Sequence, residues 1–86
     1  HVWGSCVNLH AALQLVATLP PRKGPAPFPW PVFEYDQTDN PLLSLAGRVP
    51  LAADGTVAIP DAPGLGFELD REQLLPYLVE HWRVAA

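Results

Sequence analysis

Residues 5–19, SCVNLHAALQLVATL, decide the fold of this chain because they carry its strongest helical pattern. Ser5 is a typical N-cap residue, since its hydroxyl can accept a backbone N–H of the first turn. Ten of the fourteen residues 6–19 are apolar, and they lie on nearly every side of the helix. Pro20 and Pro21 end the pattern. We therefore predict a helix that protein covers on more than one side.

The chain beyond this helix is divided into short pieces. Residues 20–31 contain six prolines and predict a stiff, extended connector. Residues 32–35, VFEY, predict a short strand because they favour β structure. Residues 41–45, PLLSL, predict a single helical turn.

The last third of the sequence predicts turns between brief elements. Leu51 and residues 57–59 flank the turn at 53–56 and predict a hairpin. A short strand is expected at residues 67–69. Asp70 is expected to cap the helix that follows, and Pro76 to end or kink that helix.

Composition excludes several classes of protein. The 86 residues carry 5 Lys and Arg against 9 Asp and Glu, a net charge of −4, and no basic stripe that would bind nucleic acid. No apolar run approaches the roughly 20 residues that span a bilayer, and the first residues lack the charged n-region and apolar stretch expected of a signal peptide. A cytoplasmic location without membrane contact is expected. Cys6 is the single cysteine, so an internal disulfide is excluded.

Apolar residues make up 49% of the chain, yet 11 prolines interrupt it, and the pattern predicts no block with a self-contained core. The chain contains no Met and begins within a motif. A domain of this size buries only about 60–65% of its unfolded surface. We therefore expect the chain to be part of a larger protein, and to fold poorly when expressed alone.

Two residues stand out as candidates for chemistry. His1 precedes the helix, and Glu34 lies in the next predicted strand. In a parallel (β/α) barrel, such positions face one active site at the carboxyl ends of the strands. An imidazole can act there as a general base, and a carboxyl group with a raised pKa as an acid. Spacing alone equally fits a solvated His1 and a Glu34 that faces solvent from an edge strand.

The other candidate residues have ordinary interpretations. His10 is expected to be a packing or partner residue of the helix, and His81 to lie near a fraying end. Cys6 is interpreted as a small buried hydrophobic residue. Asp36 and Asp39 are interpreted as turn acids.

Three motifs follow one another along the chain and together carry a family resemblance. The first, HVWGS at residues 1–5, is followed by the Ala/Leu-rich helix and resembles the segment around the seventh barrel strand. The second, FEYD at 33–36 with TDNPL at 38–42, resembles the segment around the eighth strand. The third, VAIPDAPGLGF at 57–67, resembles the tail after the barrel. In this order the three motifs resemble the mandelate racemase branch of the enolase superfamily.

The resemblance implies an α/β fold, in which the chain forms the C-terminal segment of a modified TIM (β/α)7β barrel. Residues 1–45 would hold the end of strand 7, its helix and strand 8. Residues 46–86 would form a tail that returns to an α+β capping domain and packs on it and on the barrel.

The same resemblance implies roles for the two candidates. His1 would be the base for the proton α to a carboxylate, and Glu34 the acid that hydrogen-bonds the carboxylate as charge develops. Mg²⁺ would stabilise the intermediate, with all of its ligands outside this segment. The complete protein would be an acid-sugar dehydratase or a racemase, and a homo-oligomer acting on a small carboxylate or acid sugar. The segment alone would be inactive and would need the rest of the same enzyme as its partner.

The alternative is a non-enzymatic interaction module built on the proline-rich residues 20–31. Its last four prolines alternate at every second position, so the PxxP spacing of common polyproline ligands is missing there.

Overall fold

The computed structural model describes residues 3–21, 23–25 and 31–85. Its elements are helix α1 (Cys6–Ala17), a 3₁₀ helix (Pro41–Leu43), helix α2 (Arg71–Leu74) and a second 3₁₀ helix (Leu75–Tyr77). A single antiparallel bridge joins Leu51 to Val57 in the described part of the chain. These elements neither establish nor contradict a barrel, so the barrel assignment stays a prediction.

Helix α1 begins where the sequence predicts. The hydroxyl of the N-cap Ser5 accepts the backbone N–H of Val7 at 3.2 Å, and the Asn8 side-chain oxygen accepts the backbone N–H of Ser5 at 3.4 Å. This reciprocal capping box satisfies donors that the first turn leaves without helical partners. Gly4, the residue before the N-cap, has little room for a side chain, because a Cβ there would lie 2.8 Å from the Asn8 oxygen.

Helix α1 ends at Ala17, two residues earlier than predicted. The backbone N–H of Thr18 bonds the carbonyl of Leu15 at 3.0 Å, and the Thr18 hydroxyl donates to the same carbonyl at 2.7 Å. Leu19 precedes Pro20, and a residue before proline is disfavoured in the helical region. The proline pair therefore stops the helix slightly upstream of itself.

The core lies between α1 and the first 3₁₀ helix. Four buried aliphatic side chains form it, and three partly buried residues pack against them: Leu9, Leu13, Leu43 and Val49, with Phe33, Tyr35 and Val57. Every buried residue in the described part of the chain lies between Cys6 and Val49. The core therefore joins the helix to the segments on both sides of Glu34.

The opposite side of α1 is uncovered by the described residues. Leu15 is 65% exposed and Val7 39% exposed, whereas Leu13 is 2% exposed. We predicted that protein covers α1 on more than one side, and the described residues cover one side. Coverage of the second side stays a prediction.

Residues 31–37 lead to the first 3₁₀ helix and form neither helix nor strand. Phe33 and Tyr35 are half-buried against the core, whereas Val32 and Glu34 are exposed, an alternation typical of an extended chain. No ladder pairs this segment with another among the described residues. A partner strand for the predicted strand at 32–35 is therefore still a prediction.

The predicted hairpin at residues 51–57 is confirmed. Besides the Leu51–Val57 bridge, the backbone N–H of Ala52 donates to the Thr56 carbonyl at 2.8 Å. Asp54 closes the turn by accepting the Thr56 backbone N–H at 3.0 Å.

The glycine-rich turn at residues 60–66 packs tightly on itself and on α1. Gly66 has a φ of 88°, and a Cβ at that position would lie 2.4 Å from the Pro60 side chain. The Gln14 side-chain amide donates to the Pro60 carbonyl at 3.0 Å and joins this turn to the helix.

The C-terminal elements are short. Asp70 caps α2 by accepting the backbone N–H of Glu72 at 2.9 Å, as predicted, and the α-helix gives way to the 3₁₀ turn that contains Pro76. Residues 67–69, predicted as a strand, pair with no described segment. No helix in the described ranges combines the length and the apolar character needed to cross a membrane.

Candidate functional site

The two predicted catalytic residues differ in what the structure describes. Glu34 is an exposed residue of the segment 31–37, which forms neither helix nor strand. His1 lies outside the described residues, as does half of the proline-rich stretch 20–31, namely residues 22 and 26–30. The predicted pairing of His1 with Glu34 therefore stays a prediction. Of the two residues, Glu34 is the one whose surroundings the structure describes.

Aromatic residues on both sides hold the backbone at Glu34. The rings of Phe33 and Tyr35 lie 6.5 Å apart between centroids, and both pack against the core. The Tyr35 hydroxyl also donates to the carbonyl of Val49. With its two neighbours fixed on the core side, Glu34 projects on the opposite, exposed side of the chain.

A polar turn follows Glu34. The Asp36 carboxylate accepts the backbone N–H of Thr38 at 2.8 Å. The Arg48 guanidinium donates to the carbonyls of Asp36, at 3.3 Å, and of Thr38. Hydrogen bonds from the Thr38 backbone and side chain, helped by the nearby Arg48 charge, lower the pKa of Asp36. Asp36 is thus a turn acid, as predicted, and Arg48 holds that turn in place.

One side chain connects the segment after Glu34 to the start of α1. The Asn40 amide oxygen accepts the backbone N–H of Leu42 at 3.0 Å and caps the first 3₁₀ helix. Its amide nitrogen donates to the carbonyl of Gly4 at 2.8 Å, across 36 residues of sequence. Gly4 belongs to the motif that starts at His1, so Asn40 joins two of the three motifs directly.

His10 and Cys6 are internal packing residues. His10 is 3% exposed, its Nδ1 lies 2.8 Å from the Cys6 carbonyl, and its ring lies 4.4 Å from that of Phe67. A carbonyl can only accept, so Nδ1 carries the proton in this contact. Cys6 is fully buried, and burial raises the pKa of its thiol. Both residues therefore match their predicted packing roles.

The described residues do not assemble a metal site. Within them, no three side chains of His, Cys, Asp or Glu come together in a way that could hold an ion. The residues present thus do not fit Mg²⁺ on their own, and no chemical step can be assigned to a metal from this geometry.

A cleft of about 520 Å³ opens between the start of α1 and the C-terminal elements. Its lining is largely aliphatic and includes Val7, Leu45, Leu74 and Leu78 but not Glu34. The cleft is therefore separate from the predicted acid, and its apolar walls offer little to orient a polar acid sugar.

Sequence reasoning did not single out Asn40, Arg48 or Tyr35 as residues that shape the site. A local signal existed for Asn40, since Asn before Pro-Leu-Leu is a typical cap. The bonds of Arg48 and Tyr35 join residues 10 to 14 positions apart and leave no periodic signal.

Comparison with known proteins gives one informative similarity. The chain is 43% identical over 81 residues to D-galactarolactone cycloisomerase from Agrobacterium fabrum, an enolase-superfamily enzyme. The match covers 90% of this chain and 21% of that relative, so the chain spans about a fifth of the relative's length. No protein-family model and no solved structure matches the chain. The similarity supports an assignment at the level of the superfamily and does not distinguish its branches.

Proposed function

We propose that this chain forms the last barrel strands and the tail of an enolase-superfamily enzyme that removes the proton α to a carboxylate of an acid sugar or its lactone. The observation that carries the proposal is the 43% identity over 81 residues to an enzyme whose name gives D-galactarolactone as its substrate. The three motifs that resemble the mandelate racemase branch point in the same direction, and we propose that branch.

Glu34 is the proposed acid. Its neighbours fix the backbone on the core side, so its carboxyl group is presented away from the core on a supported segment. A protonated carboxyl group aimed at the substrate carboxylate can donate a hydrogen bond that strengthens as negative charge develops there. Such a donor acts mainly on the transition state and therefore on kcat.

His1 is the proposed base. A neutral imidazole near the substrate α-carbon can take the proton at neutral pH, because its ordinary pKa lies close to that pH. Mg²⁺ is proposed as the cofactor of the complete enzyme, with ligands from segments beyond those described. The complete enzyme is further proposed to be a cytoplasmic homo-oligomer.

The reaction class follows from a shared first step. Dehydration, racemisation and cycloisomerisation of acid sugars can all begin with removal of the α-proton. The name of the relative favours an acid-sugar lactone as the first substrate to test. Dehydration and racemisation of an acid sugar are the other two reactions to test.

The test is exchange of the substrate α-proton in D₂O by the complete enzyme, followed by NMR. We expect Glu34→Gln to lower turnover by up to about 10²- to 10³-fold, because its amide is a weaker hydrogen-bond donor than a carboxylic acid and complete loss of a donor to a developing oxyanion costs that much. His1→Asn should abolish base-dependent exchange. His81→Asn and Glu68→Gln make the same chemical changes at exposed positions and should leave exchange intact. Unchanged exchange and turnover in the His1 and Glu34 variants would show that the roles are wrongly assigned.

A further inference from the structure

We propose that Asn40 is a positioning residue, which fixes the segment that carries Glu34 against the start of α1, the segment that follows His1. This inference rests on the proposed function, because it assigns Asn40 a role in the same site. It concerns a residue that touches neither the proton nor the substrate, and that acts through the segments it joins.

The two ends of the Asn40 amide have different tasks. The oxygen accepts the Leu42 N–H at 3.0 Å, and the nitrogen donates to the Gly4 carbonyl at 2.8 Å. Because one neighbour can only donate and the other can only accept, the orientation of the amide is fixed by its partners. The cap and the connection between segments are therefore chemically separable.

The Gly4 end of the connection is itself held in place. Gly4 lies against the side chain of Asn8, which bonds Ser5 in the capping box of α1. The Asn40 end is held by the first 3₁₀ helix, whose Leu43 is buried against Leu9 and Leu13. A hydrogen bond between two supported segments transmits position, whereas the same bond between two mobile loops would not.

The position of Asn40 in the chain gives the connection its functional meaning. It lies six residues after Glu34, at the end of the turn that Arg48 holds through two carbonyls. Loss of the Gly4 contact would leave the core packing of Phe33 and Tyr35 in place. It would free the two segments to shift relative to each other. A displacement of about 1 Å between acid and base can cost about a hundredfold in rate.

The experiment separates the cap from the connection in the complete enzyme. Asn40→Asp keeps the oxygen that caps Leu42, since Asp caps as well as Asn, but places a carboxylate oxygen against the Gly4 carbonyl. Asn40→Ala removes both contacts. We expect both variants to lower kcat about 10- to 100-fold with KM nearly unchanged, because substrate contacts remain while their alignment is lost.

Two matched variants serve as controls. Gln37→Glu makes the same amide-to-carboxylate change at an exposed position in the same turn, and controls for added charge. Asp70→Ala removes an equivalent cap, one that accepts the N–H two residues on, and controls for lost cap stability. Both should retain kcat.

The outcomes are distinct. If wild-type enzyme shows no α-proton exchange, the proposed function itself fails. If the wild type exchanges and Asn40→Asp keeps its kcat, the positioning role is overturned. The role is equally overturned if Asp70→Ala lowers kcat as much as Asn40→Ala at an equal loss of Tm, because Asn40 would then be only a cap.

Discussion

The first and last parts of this chain treat apolar side chains in opposite ways. Between Cys6 and Val49, aliphatic residues are buried in a shared core, and hydrogen bonds from Asn40 and Tyr35 cross between segments. From residue 69 to residue 85, no described side chain is buried. Large apolar groups are among the exposed ones: Trp82 is 73% exposed and Val79 is 99% exposed. The first part is organised by its own contacts. The end of the tail, residues 69–85, carries large apolar groups that the described residues do not cover.

This difference separates what the segment specifies by itself from what we propose it receives from the rest of the enzyme. Exposed single apolar residues are ordinary on protein surfaces, but a run of them in one tail is typical of an interaction surface. The tail is therefore proposed to pack on the barrel and the capping domain.

The largest expected effect tests the organised part. Leu13→Ala should reduce the free energy of unfolding of the complete protein by about 2 to 5 kcal/mol, because it leaves a cavity beside Leu9 and Leu43. Leu15→Ala is the matched variant on the exposed side of α1. Denaturant unfolding would measure both. A loss from Leu13→Ala below about 1 kcal/mol would contradict the core described here. A Leu15→Ala loss close to that of Leu13→Ala would show that another segment covers the second side of the helix.

The next effect tests the tail. If the tail docks in the complete protein, Trp82→Ala should cost about 1.5 to 3 kcal/mol, the value of burying one large apolar side chain. Glu80→Ala, a truncation at an exposed polar position in the same part of the chain, serves as the control. Thermal or denaturant unfolding gives the comparison. A neutral result for Trp82→Ala would mean that the tail stays exposed in the whole enzyme, and the contrast between the two parts would then be intrinsic to the protein.

The smallest effect is pH-dependent and concerns the turn after Glu34. The pKa of Asp36 is lowered in the folded state, so its contribution to stability is present above its ordinary value of 3.8. That contribution is lost as pH falls through the lowered pKa. The Thr38 amide resonance should follow this titration in acid, because its N–H bonds the Asp36 carboxylate. Asp36→Asn should remove the transition and Asp39→Asn should retain it; a transition that survives in Asp36→Asn would assign it to another group.

Local features of the fold could be read from the sequence. The Ser5 cap, the Asp70 cap and the hairpin around Asp54 depend on residues within a few positions of one another, and the structure contains all three. The end of α1 was predicted two residues late, because the effect of Pro20 extends to Leu19. Each of these signals acts over one turn of chain.

The contacts that shape the candidate site could not be read in this way. Asn40 reaches Gly4, Tyr35 reaches Val49 and His10 meets Phe67, and each pair depends on how the chain folds back on itself. The strand predicted at 32–35 shows the same limit, since its alternation is visible in sequence but a partner strand is not. Glu34 was named from its motif, whereas its supporting residues became visible only in three dimensions.

The hydrogen bond from Gln14 to the Pro60 carbonyl has a consequence for the order of folding. It closes a loop of 46 residues, whereas the bonds of α1 span only a few. Closing a long loop costs chain entropy that no local contact repays, and such distant contacts slow the search for the native state. We therefore expect α1 to form early and the glycine-rich turn to dock on it late, as a final kinetic step that anchors the tail.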